Sequence, residues 1–372
     1  MTKVAIIGAS YLQLPVYLKA HEMGFQTIGF AWEEGAVARE YCDRFYSISI
    51  IEKELILEVC QKEKIDGILS IASDVAVISV NFVASKMGLI GNSIESAIYS
   101  TNKFLMRKKL KHAGLCCPKY FLIKDCYDII SLEKKINYPA IVKPIDRSGS
   151  KGVTKVLNAA ELKKAASVAL DSSFSNQAIV EEFIEGVEVS VEMISFNGVH
   201  YELAITDKET SGAPHFVELA HHQPSLLPYN IQKEIIDTAV KGLNALNIKN
   251  GASHPEFIIS SDKIFVTEIG ARMGGDFIGS DLVYLSTGYD YLKGVLLVAT
   301  GNFEIPHKLL RKYSGVYFYS ELTQKVGDII RNGKDQAYMV RSEFTADSLL
   351  PLKQSSDRSG YFIYQDEKKI LI

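Results

Sequence analysis

Residues 254–277, HPEFIISSDKIFVTEIGARMGGDF, hold two β-rich runs that are separated by polar residues and followed by glycines. We expect strands over residues 256–260 and 264–269, joined by a three-residue loop at 261–263. In that register Ser260 pairs with Ile264, and Glu256 lies directly opposite Glu268. Side chains that face each other in a sheet are about 5 Å apart, and like charges there destabilise the pair.

A divalent cation between Glu256 and Glu268 would remove this repulsion. Carboxylate oxygens suit Mg²⁺, or Mn²⁺ in its place, and Mg²⁺ completes its shell with water and substrate phosphates. The alternative is a hairpin of different register in which both glutamates are exposed to solvent. The spacing therefore predicts a metal site without excluding a plain hairpin.

The segment after Glu268 contains Gly270, Arg272, Gly274 and Gly275. Arg272 would brace an oxyanion or a phosphoryl group in transfer. The glycines would let backbone amides approach the same group closely. A turn that carries a surface arginine is the alternative.

Two earlier strands carry further acidic residues. Residues 178–184, AIVEEFI, predict one strand, and residues 187–193 alternate apolar with polar side chains before a hairpin turn at Asn197-Gly198. We expect one face of that hairpin to be buried and Glu188 to lie on the polar face. These strands could serve an adenosine, with a carboxylate such as Glu188 on the ribose hydroxyls. The backbone groups that would meet the adenine edge are those of Glu181, Glu182, Phe183 and Ile184. Simple solvent exposure is the alternative for each glutamate.

A loop of small residues precedes these strands. Residues 146–153, DRSGSKGV, follow the short strand PAIVKP, which contains the cation Lys143. Amides and hydroxyls of such a loop would cradle phosphates, although the GxxxxGK[ST] pattern of a Walker loop is absent. The candidate phosphate-binding residues are Lys143, Ser148, Gly149, Ser150 and Gly152.

The first 96 residues alternate strands and helices. Strands over 3–9, 26–31 and 67–70, with a helix over 51–64, predict a parallel sheet with helices on its faces. Ligands of such sheets sit at the carboxyl ends of the strands, but GAS at residues 8–10 is not the GxGxxG fingerprint.

The remaining segments predict less characteristic structure. Residues 97–115 predict one basic helix that Asn102 or Thr101 caps and Gly114 ends. Residues 204–227 lack a clear period and predict a loop with short elements, and a long segment of this kind is often functional. Residues 231–246 predict an amphipathic helix, and the tail after about residue 303 predicts short strands and turns.

The composition is that of an ordinary globular protein. The chain has 372 residues, of which 47% are hydrophobic and 23% charged, with a net charge of −3. That balance argues against a nucleic-acid-binding protein, which usually carries a basic excess. No apolar run approaches the roughly 18 residues of a membrane span, and the first ten residues predict a strand and a turn rather than a signal peptide. The five cysteines show no metal-ligand spacing, which favours a reduced, cytoplasmic setting.

Five pieces in this order resemble the ATP-grasp superfamily of carboxylate–amine ligases, over about residues 1–305. The pieces are TNKFLMR, AIVKP, RSGSKGV, IVEEFIEGVEVSVE, and HPEF followed by VTEIGARMGGDF. The resemblance implies ATP as a cofactor, with Lys103 and Lys143 on its phosphates under a mobile glycine loop. It also implies that the EEFI strand meets adenine through its backbone and that Glu188 holds ribose.

The same resemblance implies the remaining roles. Glu256 and Glu268 would hold Mg²⁺, and Arg272 would stabilise an acyl phosphate. The implied α/β and α+β architecture is a Rossmann-like domain at 1–96, a linker helix at 97–115, a small lid lobe at 116–185, and a large lobe at 186–305. A small β-rich subdomain at 306–372 would follow, and its segment SSDRSGYFIYQDE resembles the closing hairpin of biotin-carboxylase-like members.

Within the superfamily, GASHPEF, EIGARMGGDFI and AHHQPSLLP look most like the L-amino-acid ligases that make dipeptides. The resemblance would place substrate contacts at His254, Gly274, Gly275 and His222, with specificity set by segments 206–222 and 272–281. A structural role for His254 is the alternative.

Two positions depart from the family pattern. Many members have Asn where this chain has Gly270, so water would replace that metal ligand or a second Mg²⁺ would bind more weakly. Pro255 stands where many dipeptide ligases have threonine, which leaves the substrate class open.

We therefore expect an ATP-dependent ligase that joins a small-molecule carboxylate to an amine through an acyl phosphate and releases ADP and phosphate. The resemblance also suggests a homodimer, without nucleic-acid or membrane partners. One alternative is a purine-pathway member of the superfamily that acts on a ribonucleotide amine, and another is a non-catalytic ATP-binding sensor. A nicotinamide-dependent oxidoreductase using Glu33 is disfavoured because the three-glycine fingerprint is missing.

Overall fold

The N-terminal part of the chain folds around a parallel sheet, as predicted. The computed structural model describes residues 1–132, 135–149, 151–261, 263–333, 336–346 and 348–372. The strands of this sheet are β1 (Lys3–Ile7), β2 (Gln26–Phe30), β3 (Arg44–Tyr46) and β4 (Gly67–Leu69), in the order β3-β2-β1-β4. The helices are α1 (Leu14–Glu22), α2 (Lys53–Glu63) and α3 (Asp74–Met87). Because helices cover both faces, the strands are near-continuous apolar runs.

The basic stretch after α3 forms two helices, whereas the sequence predicted one. They are α4 (Ile94–Thr101) and α5 (Lys103–His112). The chain turns at Asn102, whose extended backbone ends α4 and whose side chain accepts a hydrogen bond of 3.0 Å from the Leu105 amide. Asn102 is therefore the cap of α5, and Lys103 occupies the first position of that helix.

The segment that follows builds a small antiparallel sheet with its own core. Its strands are β5 (Tyr120–Ile123), β6 (Ala140–Pro144), β7 (Thr154–Val156) and β8 (Ala178–Glu182), in the order β5-β8-β6-β7. The helices α6 (Cys126–Leu132) and α7 (Ala159–Ser172) cover it. Asn158 caps α7, because its side chain accepts a hydrogen bond of 3.0 Å from the Glu161 amide.

The rest of the chain builds one antiparallel sheet of eight described strands. They are β9 (Val187–Phe196), β10 (Val199–Thr210), β11 (Glu218–Gln223), β12 (Gly251–Ser260), β13 (Lys263–Gly270), β14 (Tyr313–Tyr319), β15 (Met339–Phe344) and β16 (Gly360–Asp366). Their order is β13-β12-β9-β10-β11-β14-β16-β15, so the C-terminal strands extend the same sheet. The accompanying helices are α8 (Tyr229–Ala245), α9 (Val283–Thr287), α10 (Tyr291–Ala299) and α11 (Gln324–Asn332). Among the described residues, no helix has the length and apolar character needed to cross a bilayer.

Two expectations about this sheet are wrong. Most of residues 204–227 is strand rather than loop, because the glycine and prolines that obscure the period fall mainly in the connection between β10 and β11 or at the end of β11. The polar face of β9 is not solvated either, since Ser190 and Glu192 are fully buried. That face lines the interior between the large sheet and the N-terminal domain.

The two parts share a continuous core. Val4 and Ile6 of β1 belong to one apolar cluster with Val295 and Leu296 of α10. The approach is so close that a Cβ atom on Gly67 of β4 would lie 2.6 Å from the Ala299 carbonyl oxygen. Tight packing of α10 on β4 therefore requires glycine at this position and holds the parallel sheet against α10.

Candidate active site

The hairpin of β12 and β13 brings Glu256 and Glu268 face to face. The strands pair Ser260 with Lys263, so the predicted three-residue loop is wrong, and Asp262 within that turn lies outside the described residues. A bulge next to Phe257 then shifts the register by one residue, and Glu256 pairs with Glu268 as predicted. The predicted loop is one residue too long, and the bulge that the prediction lacked shifts the register by one residue. The two differences cancel, so the predicted pairing of the glutamates is correct.

Each of these carboxylates is paired with a cation. Glu268 accepts a hydrogen bond of 2.8 Å from Lys103 Nζ. Glu256 Oε1 lies 3.0 Å from His254 Nε2 and 3.4 Å from Lys208 Nζ. Burial alone would raise the pKa of Glu256, but Lys208 and His254 hold that pKa well below its usual range. Glu256 is therefore an ionised acceptor, and both glutamates lie in the wall of one cleft.

The donor set fits a hard divalent cation. Two apposed carboxylates supply the oxygen ligands that Mg²⁺ prefers. Among the described residues, no group of three or more His, Cys, Asp or Glu side chains has a metal-binding arrangement. Gly270 contributes no side chain, so the rest of a coordination shell would come from water or from substrate phosphates.

Lys143 reaches the same cleft from the small sheet. Its Nζ lies 2.7 Å from Glu181 Oε2, and the other oxygen of Glu181 accepts a hydrogen bond of 2.6 Å from Nε of the fully buried Arg107. Burial would raise the pKa of Glu181, but Arg107 and Lys143 lower it to about 2. The Glu181 side chain therefore positions Lys143, and only its backbone is available to a ligand.

The other candidates for nucleotide contacts line this cleft, with two exceptions. Glu182, Phe183, Ile184, Glu188, Ser148 and Gly149 all lie in its wall. Gly152 lies beside Pro144 with a φ of +72°, outside the wall, and Ser150 lies outside the described residues. Burial raises the pKa of Glu188 while Lys208 opposes that effect.

Arg272 also lines the cleft, but its guanidinium is held from the N-terminal domain. Nε and Nη2 each donate a hydrogen bond of 2.9 Å to Asp74, the first residue of α3. Asp74 was not singled out from the sequence. A signal was present, because it follows β4 at the sheet edge where ligands of parallel sheets bind.

Three of the four tentative substrate residues, His254, Gly274 and Gly275, lie close together, and the fourth does not. His254 is buried between Glu192 and Glu256, and Glu192 also accepts a hydrogen bond of 3.0 Å from the Gly274 amide. Gly274 and Gly275 line a separate narrow crevice against Tyr11 and Ala72 of the N-terminal domain.

His222 lies away from the cleft. It is fully buried on β11, where Nδ1 lies 3.0 Å from the Tyr364 hydroxyl and Nε2 lies 3.0 Å from Glu209. Its ring packs edge-on against Tyr317. Its surroundings are those of a packed core side chain.

Lys208 is the main residue of the cleft that the sequence analysis missed. Its Nζ lies among Glu256, Glu218 and Glu188, and these carboxylates raise its pKa although burial would lower it. The residue was hidden because it falls in the stretch read as a loop. As part of β10, it projects into the cleft beside the cross-strand glutamates.

Comparisons with known proteins agree with this geometry. Residues 136–281 match the ATP-grasp domain. An L-arginine-specific L-amino acid ligase of Bacillus subtilis is 28% identical over 233 residues, covering 60% of this chain and 55% of that protein. A formate-dependent phosphoribosylglycinamide formyltransferase of Methanocaldococcus jannaschii is 22% identical over 287 residues, covering 73% of this chain and 69% of that protein.

The fold comparison extends over almost the whole chain. The crystal structure of an L-amino acid ligase from Bacillus licheniformis superposes with a TM-score of 0.83 at 22% identity, covering 99% of this chain and 94% of that one. The domain match, the relatives and the shared fold agree with the cleft of paired lysines and glutamates. These comparisons place an ATP-grasp domain at residues 136–281, and the chain is similar to ADP-forming ligases of the carboxylate–amine class.

Proposed function

We propose that this ligase activates the carboxylate of an amino acid with ATP and joins it to an amine, forming an amide or peptide bond. The observation that carries the proposal is the apposition of Glu256 and Glu268 in a cleft that also holds Lys103, Lys208 and Arg272. The relatives that act on amino acids support this substrate class.

ATP would lie between the small sheet and the large sheet. Lys103 and Lys143 would bind its phosphates, with Ser148 and Gly149 of the small-residue loop beside them. The backbone of residues 181–184 would meet adenine, and Glu188 would accept from the ribose hydroxyls. The lysines are already paired with carboxylates, so the triphosphate would exchange partners with them.

The proposed reaction has two steps. An oxygen of the substrate carboxylate attacks the γ-phosphorus, the bond to the bridging oxygen breaks, and ADP leaves. The amine nitrogen then attacks the acyl carbon, the carbon–oxygen bond to phosphate breaks, and the nitrogen gives up a proton. Mg²⁺ or Mn²⁺ held by Glu256 and Glu268 would supply positive charge to the phosphate oxygens. Arg272 would donate hydrogen bonds to the transferred phosphoryl group.

The test is ADP and phosphate release from Mg·ATP across the twenty amino acids, singly and in pairs. We expect release that depends on a particular pair, with mass spectrometry identifying the product. Glu268→Gln serves as the blank, and Glu234→Gln on the exposed face of α8 serves as the matched control. Absence of pair-dependent release would contradict the proposed substrate class.

A ribonucleotide amine is the second candidate substrate, favoured by the similarity to the phosphoribosylglycinamide enzyme. Tight binding of a phosphorylated ribonucleotide, with no response to amino acids, would select it. A non-catalytic sensor would bind ATP without substrate-stimulated ADP release. We also propose that the protein acts as a homodimer in the cytoplasm, which sedimentation and cell fractionation would test.

A further inference from the structure

We call the cleft lined by Lys103, Lys143 and Glu268 the nucleotide cleft. We propose that a second cavity beside it binds the carboxylate substrate and selects for an apolar side chain. This inference deepens the proposed function and rests on it. We call the site the interlobe cavity, since it lies between the N-terminal domain and the lobe that carries the small sheet. Its apolar wall is formed by Ile51, Val75, Ile78, Ile98 and Phe174.

The interlobe cavity has the size of a small-molecule site. Its volume is about 380 Å³, and small-molecule pockets typically begin near 300 Å³. Three large apolar side chains in its wall are exposed: Ile51 by 55%, Ile98 by 37% and Phe174 by 57%. They come from three separate segments, before α2, within α4 and after α7. Large apolar groups that converge on one concave site while exposed indicate a ligand surface.

One end of the cavity is shared with the nucleotide cleft. Lys103, Arg147 and Glu268 line both. Lys103 Nζ donates to Glu268 at 2.8 Å and to the Arg147 carbonyl oxygen at 2.7 Å, so these three residues form the partition between the two sites. A molecule in the interlobe cavity would therefore present its polar end where the phosphates and the metal are proposed to lie.

The cavity wall at that end carries carboxylates as well as cations, but each carboxylate already has donors: Asp146 accepts hydrogen bonds from the Ser173 and Ser175 hydroxyls. Glu268 is paired with Lys103, and Asp74 is paired with Arg272. The Arg147 guanidinium lies 3.4 Å from the centre of the Phe174 ring and donates to the Ser172 carbonyl oxygen. Among the described residues, no carboxylate forms an ion pair with Arg147. A substrate carboxylate would supply that missing charge while its hydrocarbon tail packs on the apolar wall.

The experiment traps the activated acid with hydroxylamine, which takes the place of the amine and forms a coloured hydroxamate. The probes are glycine, alanine, leucine and phenylalanine with Mg·ATP. One methylene in an apolar pocket changes discrimination by about 10-fold or more. We therefore expect leucine or phenylalanine to exceed glycine by at least about 10-fold in kcat/KM.

Ile98→Trp fills the cavity and Ile78→Ala enlarges it, whereas Ile305→Trp, at an exposed position outside the cavity, is the control. We expect Ile98→Trp to raise the KM for leucine by about 10-fold, with little effect on glycine or on the KM for ATP. We expect Ile78→Ala to shift the preference towards phenylalanine. The Ile305→Trp variant should match the wild type.

The outcomes separate the two proposals. Equal effects of Ile98→Trp on every acid, or none, would overturn the assignment of the interlobe cavity while leaving the ligase reaction intact. Hydroxamate that forms with these acids but not in Glu268→Gln would support the proposed function whichever cavity selects the side chain. No hydroxamate with any amino acid, from a protein that still binds ATP, would overturn both.

Discussion

Arg272 donates two hydrogen bonds of 2.9 Å to Asp74, and this pair joins the turn after β13 to the first residue of α3. The two residues are 198 positions apart in the chain. Both side chains are largely buried, with exposed fractions of 12% for Arg272 and 14% for Asp74. The pair therefore ties the N-terminal domain to the nucleotide cleft and orients the guanidinium that is proposed to meet the phosphoryl group.

Loss of Asp74 should leave Arg272 as a buried, unpaired cation. Removing one partner of a buried ion pair costs about 3–5 kcal/mol, so Asp74→Asn should lower the free energy of unfolding by an amount of that order. Denaturant unfolding measures it. The matched control is Glu304→Gln, which breaks the exposed pair with Lys293 and should cost less than about 1 kcal/mol. Equal losses of unfolding free energy in the two variants would show that the Asp74–Arg272 pair stabilises the fold no more than an exposed ion pair does.

Removal of the positive charge of Lys208 should leave Glu188, Glu218 and Glu256 close together without their shared cation. We expect Lys208→Met to lower kcat/KM for ligation by about 100-fold, which corresponds to roughly 2.7 kcal/mol of transition-state stabilisation. ADP release at saturating acceptor measures the change. Lys241→Met, on the exposed face of α8, is the control. Near-full activity in Lys208→Met would show that Lys208 has no role in catalysis or binding.

The free energy of unfolding at acidic pH should depend on the ionisation of Glu181. Its pKa is about 2 in the folded protein against an ordinary value of 4.5, so its ionised form is favoured by folding. The stabilisation is complete above about pH 4.5 and is lost as the pH falls through about 2. A pKa depression of this size contributes on the order of 3 kcal/mol to the free energy of unfolding.

Unfolding of wild type and Glu181→Gln at a series of pH values tests this dependence. We expect the advantage of the wild type to be constant above about pH 4.5 and to shrink as the pH falls below that value. Glu182→Gln, at the exposed neighbouring position, is the control. A gap that stays constant down to pH 3 would mean that Arg107 and Lys143 do not stabilise the ionised carboxylate.

The two cross-strand glutamates should be essential for turnover but not for the fold. We expect Glu256→Gln and Glu268→Gln each to abolish ligation while circular dichroism and ATP-analogue binding show a folded protein, because an amide is a much poorer Mg²⁺ ligand than a carboxylate. Raising the Mg²⁺ or Mn²⁺ concentration should recover part of the activity in one or both variants. Near-full activity at ordinary Mg²⁺ would refute the metal assignment.

The features that could be predicted from the sequence are the local ones. Hairpin pairing depends on a short connection and on alternation, so the apposition of Glu256 and Glu268 was readable although the loop length was wrong. The cap at Asn102 and the cap at Asn158 follow from residue type and spacing within one turn. The order of the family motifs added a prediction of the nucleotide-binding residues, because each motif is itself a short local segment.

The remaining features depend on contacts between distant segments. The local sequence pattern could not show that Glu181 is paired with Arg107 or that Asp74 is paired with Arg272. It also could not show that Lys208 lies among three carboxylates. Each contact joins residues that only the packing of separate lobes brings together. The sequence by itself determined most of the elements, the two asparagine caps and the hairpin that carries the two glutamates, since these rest on interactions between near neighbours. Only the tertiary structure decided which charges are paired and where a substrate could lie, because ion pairing and cavities are set by the approach of surfaces from distant parts of the chain.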